Sequence, residues 1–81
     1  MTNNLEIQKA FGKAVREARL RSNMSQESLA EASGLDRTYI GGVERGERNP
    51  SLVALKKIAS GLGLKLSNLF EEMQRLENVS K

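Results

Sequence analysis

Gly34 divides two short apolar patterns of helical period, and the stretch around it, QESLAEASGLDRTYIGGVER from Gln26 to Arg45, constrains the fold more than any other part of the chain. Before the glycine, Leu29 and Ala30 form an inward-facing apolar pair, and Ala30 is small enough to let a second helix cross close by. Glycine enters the left-handed backbone region without a Cβ penalty, so Gly34 is expected to end the first of the two helices. Leu35 follows as a plug between them, and Asp36 stands where the next helix needs a cap. Ile40 and Val43 then face inward, which leaves Arg37, Thr38 and Tyr39 facing outward at the amino-terminal end of that helix.

Two short helices joined by a glycine turn have the spacing of a helix-turn-helix, whose second helix reads base edges in the major groove with its first residues. Double-stranded DNA is the partner this spacing favours. Arg37 is the first candidate for a base contact, because a guanidinium there can bond the O6 and N7 edge of guanine with two donors; the bland alternative pairs it with Asp36 or Glu44. Thr38 suits a thymine methyl and Tyr39 a phosphate or sugar, unless both merely cover the helix surface. Gln26, in the first turn of the preceding helix, is placed to donate to phosphate where a helix amino terminus already favours anions. Ser51 repeats that logic at the start of a later helix, and a capping or helix-start role fits both residues equally. Arg48 and Asn49 flank the same strand as phosphate contacts, as does Arg45 unless it points toward a partner subunit.

Ile7, Phe11, Ala14, Val15 and Ala18 recur at helical spacing and predict a helix from about Leu5 to Arg21. Asn23 and Met24 read as a turn, Asn tolerating the left-handed region and Met24 tucking back, with Ser25 as the following cap. Gly46 stops the third helix, Pro50 and Ser51 mark the next start, and GERNP is too short to separate domains. Leu52, Leu55, Ile58, Ala59 and Leu62 form the stripe of a fourth helix ended by Gly63, and Ser67 is placed to cap a fifth. Leu69, Phe70, Met73 and Leu76 continue an apolar face too long for one small core, and they are assigned to a dimer interface. Asn78 to Lys81 reads as a frayed tail. Gly41 and Gly42 are awkward inside a helix, where each costs about 1 kcal/mol relative to alanine. Either the helix approaches DNA or the first helix closely there, or the face is exposed.

With 81 residues the chain makes one domain, 1–81 with a core of about 5–76, whose marginal core a second subunit would help to bury. It has no Cys and no His, which removes disulfides, most zinc sites, histidine bases and thiol nucleophiles. Neither catalysis, a metal nor a cofactor is expected. No apolar run approaches the roughly 20 residues that span a bilayer, and MTNNLEIQKAF lacks the order of a signal peptide, so a cytoplasmic protein without membrane contact is expected. A net charge of +3 permits nucleic-acid binding, although its clustering at Arg37, Arg45 and Arg48 says more than the total. Glu71, Glu72 and Glu77 fall in the carboxy-terminal segment, away from those arginines.

From about Phe11 to Leu69 the chain resembles the helix-turn-helix family of the lambda and 434 phage repressors, with SQESLAEASGL, VERGERNPSL and LKKIASGLGL in that family's order. LDRTYIGGVERGERNPSL is similar to the controller proteins of restriction-modification systems. The resemblance implies a compact all-α domain of five helices and an ion pair between Arg19 and Glu44 that sets the angle of the recognition helix. It further implies a homodimer on two-fold operator DNA, half-sites about 34 Å apart, and control of transcription by excluding or recruiting RNA polymerase. For a controller it implies two dimers on adjacent sites. The rival readings are a phage or plasmid repressor or an antitoxin of the same fold, and a protein-interaction module that has lost DNA binding.

Overall fold

The computed structural model describes residues 3–79, which form five α-helices and no strand among the described residues. These are α1 (Asn4–Arg21), α2 (Gln26–Ser33), α3 (Arg37–Glu44), α4 (Leu52–Gly61) and α5 (Leu66–Val79). The all-α, five-helix architecture is the one the sequence predicts. Helix α1 packs against α5 and α3, α2 against α4 and α3, and α4 against α5.

Local chemistry sets most of the boundaries. Asn3 caps α1 by accepting from the Glu6 amide, and its side-chain amide donates to the Glu6 carboxylate, a reciprocal pair the sequence reading passed over. Asn23 takes φ +56° in the turn that follows, as expected. Ser25 caps α2 through the Ser28 amide, and Gly34 closes that helix in the left-handed region at φ 70°. Ser51 caps α4 through the Ala54 amide. Two expected caps fail. Asp36 sits at the N-cap of α3 with extended backbone but makes no side-chain capping bond. Ser67 lies inside α5, which starts one residue earlier at Leu66.

Phe11, Ala14, Val15 and Ala18 of α1 form the floor of the core, with Leu29, Ile40, Val43, Ile58, Ala59 and Leu69 closing around them. Fully burying a side chain such as Leu29, Ile40 or Ile58 stabilises by about 1.5–3 kcal/mol each. Two expectations about this core need correction. Ile7 and Leu52 belong to the predicted stripes yet are 39% and 71% exposed, because each sits in the first turn of its helix, beyond the edge of the packed layer. Leu69 and Leu76, assigned to a dimer interface, are buried in the subunit's own core at 0% and 5% exposure, since α5 packs along α1. Phe70 and Met73 are only half-buried. Of the tail expected at Asn78 to Lys81, Ser80 and Lys81 lie outside the described residues, whereas α5 runs on to Val79.

The close helix crossing falls where the sequence did not point. A Cβ on Gly12 of α1 would meet the Val43 carbonyl oxygen and lie 2.7 Å from that of Glu44, so the bare glycine lets α1 touch the backbone of α3. Gly61 does the same for α4 against α2, where a Cβ would stand 3.1 Å from the Ser33 backbone nitrogen. Gly41 and Gly42 are buried, but beneath side chains rather than against α1.

Candidate nucleic-acid interface

The three residues Gly34, Leu35 and Asp36 separate α2 from α3, and α3 is held from behind by Ile40 and Val43, both without exposed surface. That anchoring leaves Arg37 and Thr38 exposed and Tyr39 half-buried in the first turn of α3. Arg37 forms no ion pair among the described residues, with Asp36 and Glu44 or otherwise. Its five donors face water.

At its other end α3 is fixed by charge. Glu44 is the acceptor for three donors: Arg19 Nε at 2.7 Å, Arg19 Nη2 at 3.0 Å and Gln26 Nε2 at 3.1 Å. Arg19 also donates from Nη1 to the Met24 carbonyl at 2.8 Å, so one guanidinium ties α1 to α3 and to the turn before α2. The hydrogen bond that Arg19 donates to Glu44 raises the pKa of Arg19, outweighing burial, which lowers it. Both side chains are nearly covered, at 10% and 3% exposure, and such a pair orients more than it stabilises because desolvation offsets much of its attraction.

The remaining candidates separate into two groups. Gln26, expected to offer its amide to phosphate, gives one of its two amide hydrogens to Glu44, which leaves the second for another acceptor. Arg45 pairs with Glu47 at 3.1 Å and lies over Gly41, where a Cβ would be 3.1 Å from its Nη1. Arg48 lies over Gly42 and places its guanidinium carbon 5.6 Å from the centre of the Tyr39 ring. These contacts gather Gln26, Tyr39, Arg45 and Arg48 along α3. Asn49 and Ser51 are exposed beyond them, and Ser51 uses its hydroxyl to cap α4, a role compatible with amides that still face an anion.

Two residues escaped the sequence reading. Arg16 joins Arg19, Gln26, Glu44 and Arg45 in lining an open cleft of about 280 Å³, to which three arginines and one glutamate contribute. Its position one turn before Arg19 on α1 was the available signal. Glu47 neutralises part of the charge of Arg45, and the hydrogen bond from Arg45 holds the Glu47 carboxyl below its ordinary range.

A short helix anchored by its rear face, presenting an arginine, a threonine and a tyrosine at its free end and flanked by further arginines, defines a DNA-binding helix-turn-helix module. The chain belongs to the helix-turn-helix family, whose model matches residues 15–69. It is 49% identical over 72 residues to the control protein C.BamHI of Bacillus amyloliquefaciens, covering 88% of this chain and 86% of that one. Among solved structures, it is similar to the restriction-modification controller protein C.AhdI of Aeromonas hydrophila, with 51% identity, a TM-score of 0.76, and coverage of 78% of this chain and 96% of the other. It is also similar to the controller protein C.Esp1396I solved as a tetramer in complex with its natural 35 base-pair operator, with 35% identity, a TM-score of 0.84, and coverage of 89% and 95%. No helix among the described residues is long and apolar enough to cross a membrane.

Proposed function

We propose that this DNA-binding transcriptional regulator is the controller of a restriction-modification system, binding a two-fold operator as a homodimer with the start of α3 in each major groove. The observation that carries the reading is the first turn of α3: Arg37 and Thr38 are exposed and without a side-chain partner among the described residues, on a helix locked from behind by Ile40, Val43 and the Arg19–Glu44 pair. Arg37 reads a guanine, Thr38 and Tyr39 touch neighbouring positions, and Gln26, Arg45, Arg48, Asn49 and Ser51 contact the flanking phosphates. The operator-bound tetramer of C.Esp1396I supports two dimers on adjacent sites. Occupancy there excludes or recruits RNA polymerase.

The dimer contact follows from the apolar surface one subunit leaves in water. Phe70 and Met73 of α5 remain half-buried, and Leu52 and Val53 at the start of α4 are 71% and 63% exposed. These four replace Leu69 and Leu76 as the residues available to a second copy. Mobility shift of a duplex carrying the promoter upstream of the chain's own gene tests the function, with salt titration separating phosphate contacts from base reading. Binding that shows no preference over an unrelated duplex would refute it.

A further inference from the structure

Two buried glycines in the last turns of α3 weaken the helix that carries base recognition, and alanine at either position would favour helix formation. What lies over Gly42 explains its presence. A Cβ there would stand 3.0 Å from Arg48 Cγ, 3.0 Å from Arg48 Nε and 3.6 Å from Arg48 Cδ, so the outer part of the arginine stem runs across the bare glycine. The stem ends with its guanidinium over the Tyr39 ring, 5.6 Å from the centroid. Tyr39 and Gly42 are three residues apart and share one side of the helix, which lets a single side chain from the following loop span both.

We propose that Gly42 is a specificity-determining position: it is the seat on which Arg48 lies, and Arg48 in turn holds the Tyr39 ring in one orientation for DNA. The inference rests on the DNA-binding reading above and assigns Arg48 a positioning role in addition to any phosphate contact. A ring held before binding loses less conformational entropy when it docks, and it meets only the base pairs that suit that one orientation. Any side chain at position 42 lifts Arg48, releases Tyr39, and broadens the sequences accepted without removing a positive charge.

Tyr39 is the only tyrosine and the chain has no tryptophan, so its ring is a clean spectroscopic probe. In free wild-type protein, NMR should show the Arg48 side-chain protons displaced upfield by the ring, and Gly42→Ala and Tyr39→Leu should each abolish the displacement. Gly42→Ala should melt at the wild-type temperature or up to about 8 °C higher. Its preference for the operator over one substituted beneath Tyr39 should fall roughly two- to fivefold, with the salt dependence of binding unchanged. Arg48→Ala, which leaves Gly42 in place, should lose the same preference and serves as the test if Gly42→Ala fails to fold. The proposal is overturned if the upfield displacement survives in Gly42→Ala, or if preference is intact once the displacement is gone. It is also overturned if Arg48→Ala weakens every sequence by one common factor, the mark of a phosphate contact alone. A wild type without sequence preference would refute the proposed function and the specificity role with it, while the free-protein spectra would still decide whether the seat exists.

Discussion

Arg19 and Glu44 meet in a two-bond fork, Nε to Oε2 at 2.7 Å and Nη2 to Oε1 at 3.0 Å, that fastens the end of α3 to α1. Removing one partner strands a covered charge, so Glu44→Ala is expected to destabilise the fold by about 3 kcal/mol. Arg19→Ala should cost at least as much, because the Met24 carbonyl loses its donor as well. The double variant Arg19→Met, Glu44→Leu should recover much of that loss, since it leaves no buried charge unpaired. Urea denaturation of the four proteins compares them, and a double variant as unstable as the sum of the two alanine variants would contradict the expectation.

Gly12 and Gly42 are expected to respond oppositely to alanine. A Cβ at Gly12 meets the backbone oxygens of Val43 and Glu44, which cannot turn aside, so Gly12→Ala should cost about 2–3 kcal/mol by prising α1 from α3. A Cβ at Gly42 meets only the movable Arg48 side chain, and gains up to about 1 kcal/mol of helix propensity. Thermal melts of the two variants compare them directly.

The difference between these glycines shows where sequence stops being informative. Ser25, Gly34 and Ser51 were legible because a cap or a left-handed turn is satisfied within three or four residues of chain. The doublet at Gly41 and Gly42 drew attention to the wrong place for a helix crossing, since which glycine meets a backbone depends on how two distant helices cross. Periodicity identified the stripe of α5 but carried no information on what covers it, so Leu69 and Leu76 were indistinguishable from Phe70 and Met73 until α1 was in place. In the candidate site, the exposure of Arg37 followed from helix phase alone. The bond from Gln26 to Glu44 and the stacking of Arg48 on Tyr39 join residues 18 and 9 apart, through side-chain directions that no spacing rule specifies.

Association is expected to depend on Leu52, Val53, Phe70 and Met73. Leu52→Lys with Val53→Glu should leave the fold intact, because both side chains already stand mostly in water, yet yield a monomer in sedimentation and weaken operator binding. Leu69→Ala should instead destabilise by about 2–5 kcal/mol without any interface being involved. A wild type that sediments as a monomer at micromolar concentration would contradict the dimer.

Acid should act through carboxylates paired at the surface. The hydrogen bond from Arg75 holds Glu72 below its ordinary range, with the charges of Arg75 and Arg21 adding to it. A carboxyl depressed in the folded state contributes stability above its unfolded pKa and loses it as pH falls through the folded value. Glu72→Gln should therefore melt slightly below wild type at neutral pH, and the gap should close below about pH 4. Because the chain has no His and no Cys, the wild-type melting temperature should be nearly flat between about pH 6 and 8. Circular dichroism melts from about pH 3 to about pH 8 check both statements.

The central claim, that the first turn of α3 reads DNA sequence, is tested most directly by selecting bound duplexes from a randomised pool with wild type and with Arg37→Ala. The wild type should recover a two-fold symmetric site with a fixed guanine in each half, and Arg37→Ala should lose about 1–3 kcal/mol of discrimination at that guanine alone. Recovery of the same site with an undiminished guanine preference by Arg37→Ala, or of no common site by the wild type, would contradict the account.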